Sequence, residues 1–354
     1  MKITWLPGIC AAATAALSIT VSAFSSSAVG EGPISSRAGT TRRAPEPTLF
    51  VSGLAGGSGS TIGPGGALYV TESATGSISR IDLTTATVTT VATGLPMAIP
   101  AVGIGGPIDV AFIGTRAYAL VTLVGTDVGG SDAVGIYRVD GPDSATLVAN
   151  IGEFSIQNPP DTDFFVPTGV QYALEAYRGG FLVTDGHHNR VLHVTLERHA
   201  GVEYGRVSEF RVFDNIVPTG LAISGDDVYM AEAGPVPHLP QDGKIVSFGP
   251  RSPVVTEVAA GAKLIVDVEF GRGRTLFGLS QGTFPVGSPA GAPALPNTGA
   301  LMRANDDGTF STIVAGLNLP TSLEVIGTTA YVVTLTGEIW RIDDVAAPPY
   351  GLSH

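Results

Sequence analysis

Two aspartates, three further acids and a group of histidines are the residues of this chain whose types and spacing suit chemistry. Asp109, in Pro107-Ile108-Asp109-Val110, and Asp267, in Ile265-Val266-Asp267-Val268, share one position of a recurring segment. Its other copies, Pro167-Thr168-Gly169-Val170, Pro218-Thr219-Gly220-Leu221 and Pro320-Thr321-Ser322-Leu323, carry Gly or Ser there. A second acidic position, Glu72, Asp185 and Glu232, follows the apolar runs that end at Thr71, Thr184 and Ala231. Carboxylates of either set offer the oxygen ligands that a hard cation such as calcium takes. For the second set the competing role is local: an acid after a strand ties down its own turn through backbone N–H groups.

Histidine supplies the other candidate chemistry, as a base or a metal ligand. His187, His188, His193 and His199 fall within 13 residues. His193 occupies a repeat position held elsewhere by Arg80, Arg138, Arg303 and Arg341, and His199 belongs to a turn on the opposite side. That leaves His187 and His188, beside Asp185 and Asn189, together with His238. The sequence has no His-Glu-x-x-His and no phosphate loop. Gly56-Gly57-Ser58-Gly59-Ser60 lacks the lysine that phosphate binding needs.

The elements that position these residues repeat. Leu68-Tyr69-Val70, Ala117-Tyr118-Ala119, Phe181-Leu182-Val183, Val228-Tyr229-Met230, Leu276-Phe277-Gly278 and Ala330-Tyr331-Val332 recur at spacings of 49, 64, 47, 48 and 54 residues. A Gly-x-Ile-x-Arg-type strand follows each, as in Gly76–Ile81 and Gly337–Ile342, and a Val-Ala-x-Gly-Leu-type strand closes the unit, as in Val91–Leu95 and Val314–Leu317. Four short strands per repeat, six times over, predict an all-β, six-bladed β-propeller of four-stranded antiparallel blades over residues 47–345. One closing strand, Thr48–Leu54, precedes the first unit, and the sixth unit stops after its third strand. The N-terminal strand is therefore expected to complete the last blade and close the ring.

Composition agrees with that architecture. The chain of 354 residues carries 47 Gly and 25 Pro, too many for helical bundles, yet it is 44% hydrophobic and only 14% charged, which excludes a disordered chain. A net charge of −12 removes the electrostatic basis for nucleic-acid binding. The single cysteine, Cys10, lies in an N-terminal stretch that reads as an export signal: Lys2, then an apolar run to Val21, then small-residue cleavage sites after Ala23 or Ala28. Residues 1–28 are thus expected to be removed, residues 29–46 to form a linker, and residues 346–354 a tail. The product is expected outside the cytoplasm, as a monomer with no membrane span.

Loop length separates the two faces of the expected ring. The turns between first and second strands are tight, as in Gly63-Pro64-Gly65-Gly66 and Gly327-Thr328-Thr329. The long segments, 96–106, 125–135, 152–167, 234–243 and 281–299, all belong to the other face. Long loops are either working surface or tolerated drift. The aligned acids Asp109 and Asp267, in opposed blades two and five, are expected near the channel mouth on that face, with Asp185, His187, His188 and Glu232 around it.

Pro-Thr-Gly, Leu-Tyr-Val-x-Glu, Gly-x-Ile-x-Arg-Ile-Asp and Val-Ala-x-Gly-Leu resemble NHL-type propeller repeats, and the chain after its leader resembles the secreted ScyD/ScyE family. That resemblance implies the fold and no reaction. The sequence therefore points to a secreted binding or scaffold protein for a protein, glycan or small molecule, without a bound cofactor. Its alternative is a hydrolase or lactonase resembling gluconolactonase and regucalcin, in which a divalent cation such as calcium activates water. The Glu-Gly-Pro metal segment of that family has its counterpart here only in Glu31-Gly32-Pro33, outside the blades, and the family's channel asparagines are missing. A quinone-dependent sugar dehydrogenase would need an inner-face histidine and a cationic cluster, and the sequence offers neither on the long-loop face.

Overall fold

The apolar triplets become strands buried on both faces. Leu68–Glu72, Gly180–Asp185 and Leu276–Ser280 are buried at every position, because each is sandwiched between its own neighbours and the next blade. Outer strands such as Val202–Val212 alternate between exposed and half-buried residues, as a strand with one wet face must. The computed structural model describes residues 45–346. The expected leader, its cleavage sites, most of the 29–46 linker and all but the first residue of the 346–354 tail lie outside those residues.

Twenty-four strands form six four-stranded antiparallel sheets, the blades of a six-bladed propeller. The inner strands, in blade order, are Gly57–Ile62, Gly106–Ile113, Gln171–Tyr177, Pro218–Ser224, Ile265–Phe270 and Pro320–Ile326. Each packs against the inner strands of both neighbours, so they ring a central channel. Every inner strand also carries a register break within its first four residues, at Gly57/Ser60, Pro107/Asp109, Gln171/Leu174, Pro218/Leu221, Ile265/Asp267 and Pro320/Ser322. A bulge sharpens local twist and re-aims the next side chain. Here the residue after the break in blades two, five and six (Asp109, Asp267 and Ser322) bonds the neighbouring blade.

That register corrects one alignment. In blade three Gln171 pairs with Asp185, as Pro218 pairs with Glu232 in blade four. The repeat-mate of Asp109 and Asp267 is therefore Ala173, and Pro167-Thr168-Gly169-Val170 precedes the strand. The chain expected as loop between blades two and three also contains a short helix, Ile151–Gln157, which ends by bonding its last turn to Asn158. Asn150 caps its start by accepting the Glu153 N–H at 2.9 Å.

The last blade closes as the orphan strand implied. Pro47–Val51 pairs antiparallel with Ile339–Ile342, giving the sixth sheet its fourth strand. Val51 and Leu54 then join Leu68, Val70, Tyr331, Val333 and Ile339 in one apolar cluster between blades six and one. The bulge between Leu49 and Val51 puts these two residues in different environments and makes this testable. Val51→Asp buries a charge in that cluster and should cost about 2–4 kcal/mol in urea unfolding. Leu49→Asp lies on the same strand but 51% exposed and should change stability by less than about 0.5 kcal/mol. Equal effects would mean that the strand does not seal the ring.

Candidate functional site

The channel wall is acidic. A cavity of about 160 Å³ is lined by Asp109, Glu175, Asp267, Glu269 and Glu324, with Ser60 and Ser322 beside them. Asp109 and Asp267 come from the equivalent position, just after the register break, of opposed inner strands. Glu175, Glu269 and Glu324 come from the fifth position in blades three, five and six, nearer the tight turns. This second layer was missed in the sequence, although a signal was present. Leu174-Glu175-Ala176, Val268-Glu269-Phe270 and Leu323-Glu324-Val325 each set an acid inside an apolar inner strand.

Asp109 and Asp267 are held in matching ways. Asp109 Oδ2 accepts the Leu174 N–H of blade three at 2.7 Å, and its Oδ1 accepts the Val110 N–H at 2.8 Å. Asp267 Oδ2 accepts the Leu323 N–H of blade six at 2.7 Å, and its Oδ1 accepts the Val268 N–H at 2.9 Å. Glycine makes the room. A Cβ on Gly59 would fall 2.2 Å from Asp109 Oδ1, and one on Gly220 would fall 2.5 Å from Asp267 Oδ1. The ring thus reads Gly59, Asp109, Ala173 and then Gly220, Asp267, Ser322, one pattern repeated over each half.

Their depth differs from the expected long-loop mouth. Tyr172, from blade three, crosses the channel to donate its hydroxyl to Thr321 O of the opposed blade six at 2.8 Å. Above it the long loops meet. A Cβ on Gly291 of blade five would stand 3.5 Å from Ile104, in the connection between blades one and two. His238 packs edge-on against Phe284 at 5.2 Å. The acid-lined cavity therefore lies on the tight-turn side of Tyr172.

Burial sets the charge state of these acids. It pushes Glu175 up to about 8, helped by Asp267. It raises Asp267 to about 7 against the pull of the Leu323 and Val268 N–H groups. Asp109, Glu269 and Glu324 are raised well above the usual carboxylate range, first by burial and then by their acidic neighbours. Among the described residues no three of His, Cys, Asp and Glu are placed to share a metal ion. Calcium needs six to eight convergent oxygens, whereas both oxygens of Asp109 and of Asp267 are already engaged by backbone N–H groups. The channel residues do not fit a preformed calcium centre.

The remaining candidates lie apart from that cavity. Asp185, His188 and Arg190 form a fully buried cluster in blade three. His188 Nδ1 and Arg190 Nε stand 3.1 and 3.6 Å from Asp185 Oδ2, while Asp185 Oδ1 accepts the Val170 N–H at 3.0 Å. Burial alone would raise the Asp185 carboxyl, but His188 and Arg190 bring it below its ordinary value. Arg190 also donates to Asn158 O, Ser155 Oγ and Glu209, pinning the short helix to the blade. His187 Nε2 accepts two backbone N–H groups, from Phe165 at 2.8 Å and Val166 at 3.1 Å. Burial first, then the neighbouring His188, lowers it to about 4, so it is neutral at physiological pH. Glu232 is raised to about 7 by burial, with Lys244 opposing and Glu257 adding to the rise, in an outer cleft with Phe213 and Ile216. Glu72 accepts the Ala55 N–H at 2.6 Å and the Ser79 hydroxyl at 2.5 Å.

Two outcomes follow. Arg190→Met strands the buried Asp185 charge and should cost about 3–5 kcal/mol by denaturant unfolding. The channel acids act oppositely on pH dependence, because they are protonated in the fold and ionised in the unfolded chain. Their stabilisation is full below the unfolded value near 4.3 and is lost as pH climbs to about 8 for Glu175. The melting temperature should fall between pH 5 and 8, and Glu175→Gln should flatten that slope; an unchanged slope in the variant would remove Glu175 from the account.

No family model and no curated protein matches the chain. Solved structures share its architecture. They include a gluconolactonase from Xanthomonas campestris (12% identity, 86% of this chain and 95% of that one, TM-score 0.55). Regucalcin from Agrobacterium tumefaciens, a calcium-binding protein, matches at 11% identity over 88% and 97%, TM-score 0.53. A catalytically inactive virginiamycin B lyase from Staphylococcus aureus, bound to quinupristin, matches at 14% over 84% and 98%, TM-score 0.52. At such identities the likeness is one of fold.

Proposed function

We propose that the chain is an exported binding protein whose working surface is the long-loop face. One observation carries this reading: eight of the sixteen exposed large hydrophobic residues, among them Met97, Phe165, Val236, Val286 and Leu295, fall on four of the five long segments. Exposed apolar side chains concentrated on the loops of one face suit contact with another macromolecule. Phe165 stands edge-on over His187 at 4.2 Å, and Val286 is 93% exposed. Valine, leucine and methionine side chains suit a protein partner better than a glycan. The resemblance of the chain to the secreted ScyD/ScyE family and the N-terminal stretch that reads as an export signal support a role outside the cell. No helix among the described residues is long and apolar enough to cross a membrane.

The candidate catalytic groups support the same reading by what they already hold. Asp109 and Asp267 bind neighbouring strands, His187 accepts two N–H groups, and His188 lies fully buried against Asp185 and Arg190. A hydrolase of the gluconolactonase type is the second reading. It is favoured by the shared fold and by Asp267, whose carboxyl at about 7 would suit proton transfer near neutrality.

The two readings separate in solution. The purified protein should hold no stoichiometric divalent metal by elemental analysis and should not hydrolyse glucono-1,5-lactone or aryl esters, with or without added calcium. Turnover abolished by Asp109→Asn or Asp267→Asn in a folded protein would establish the hydrolase instead. Chemical crosslinking in the extracellular fraction of producing cells should yield one discrete adduct. Phe165→Ser/Val286→Ser should reduce that adduct at least about tenfold while leaving the melting temperature unchanged.

A further inference from the structure

Blades one, three and four carry an acid at the end of the second strand, and in two of them it has a local duty. Glu72 accepts the Ala55 N–H and the Ser79 hydroxyl. Asp185 accepts the Val170 N–H and lies against His188 and Arg190. Glu232 has lost both of the donors that Glu72 uses. Gly57 pairs with Glu72 as Pro218 pairs with Glu232, so Ile216 stands where Ala55 does. The Ile216 N–H goes instead to Asn189 Oδ1 of blade three at 3.0 Å. Val246, opposite Met230, stands where Ser79 stands opposite Val70, and it has no hydroxyl. Glu232 is only 4% exposed, and among the described residues its carboxylate receives no hydrogen bond or ion pair. A buried acid in that condition costs free energy unless a proton or a cation meets it.

Glu232 lines the outer cleft beside blades three and four, a space of about 290 Å³. Unlike the channel, this cleft is largely apolar where it opens. Phe213 and Ile216 rest on the core between the two blades yet stay only half-buried, and Val255 is 39% exposed. Lys244, the cross-strand neighbour of Glu232, gives its ammonium to Glu257 at 3.2 Å. With Asp214, three carboxylates thus border the cleft against one lysine that is already paired, which disfavours an anion. The acids do not converge to share a metal ion. Phenyl and branched aliphatic walls favour an apolar body over a hydrated one.

We infer that this cleft binds a small primary ammonium ion with an apolar body, its charge on Glu232 and its body against Phe213, Ile216 and Val255. The ammonium supplies the donors that Asn189 and Val246 deny to Glu232, and its bonds to the carboxylate are charge-assisted. Phe213 packs edge-on against Phe248 at 5.6 Å, which braces the aromatic wall. The space lies at the lower edge of the roughly 300–1,000 Å³ of ligand pockets, so the ligand is small. The site uses neither the channel acids nor the apolar loops, and it stands or falls without them.

Calorimetric titration of the purified protein at low salt and pH 8, where Glu232 is ionised, tests this with 2-phenylethylamine as the probe. One amine should bind per chain. Ethylamine, which lacks the body, and 2-phenylethanol, which lacks the charge, should each bind at least about tenfold more weakly. Glu232→Gln, the same size as the native residue, should weaken the amine about tenfold or more and melt no lower than the parent. Val255→Ser, at an exposed position, should weaken it about threefold. Phe165→Ser/Val286→Ser should bind the amine as the parent does. The inference is overturned if the amine does not bind, if Glu232→Gln binds it as tightly as the parent, or if 2-phenylethanol or 3-phenylpropionate binds as well as the amine. Should Glu232→Gln not fold, Val255→Ser and the ligand series decide alone, and unchanged binding by Val255→Ser then overturns it.

Discussion

A ring of six sheets leaves six inner strands whose channel-side edges have no strand to pair with. Each such edge presents backbone donors and acceptors that are costly to bury unsatisfied. Side chains answer this constraint from one blade to the next. Thr219 donates to Ile265 O, Thr184 to Thr219 O and Thr321 to Gly57 O, so three hydroxyls each satisfy a neighbour's carbonyl. Thr122 and Ser322 accept the N–H groups of Gln171 and Ser60. Asp109 and Asp267 do the same for Leu174 and Leu323 with ionisable groups. The bulges, the glycines at 59 and 220 and the Thr positions follow from this one requirement.

The same requirement changes what an acid in this channel signifies. Asp109 and Asp267 stand out in the sequence because their repeat-mates are small, and the structure supplies the reason. Gly59 and Gly220 lie against the aspartate oxygens and must lack a side chain. Aspartate is a strut in two blades out of six, and its neighbours are trimmed to admit it. Glu175 and Glu324 line the same channel and have no such duty.

Blade number, strand order and ring closure were legible because each depends on patterns repeated six times, and a repeated pattern tolerates a few degenerate copies. The alignment of blade three was not. Its Pro167-Thr168-Gly169 imitates the motif four residues early, and only the pairing of Gln171 with Asp185 reveals the true register. The helix at Ile151–Gln157 has a local signal, Asn150 three residues before Glu153, that lies outside the repeated pattern. The candidate site was less legible still. A single side chain, Tyr172, decides which end of the channel the acids belong to, and a bond spanning 149 positions leaves no trace in local spacing. His187 and His188 looked chemically ready for a similar reason. Nothing in their own neighbourhood announces the Phe165 and Val166 amides or the Arg190 guanidinium that occupy them.

The pairing of Pro47 with Ile342 carries a consequence for how the protein is made. The strand synthesised first has no partner until nearly three hundred further residues exist, and bringing such distant segments together is slow. Blades one to five are each continuous in the chain and can form in order as they emerge. The sixth cannot, so the ring stays unlatched until the C-terminal end of the domain arrives. The fold therefore locks last at its seam, after every other blade has its full set of strands.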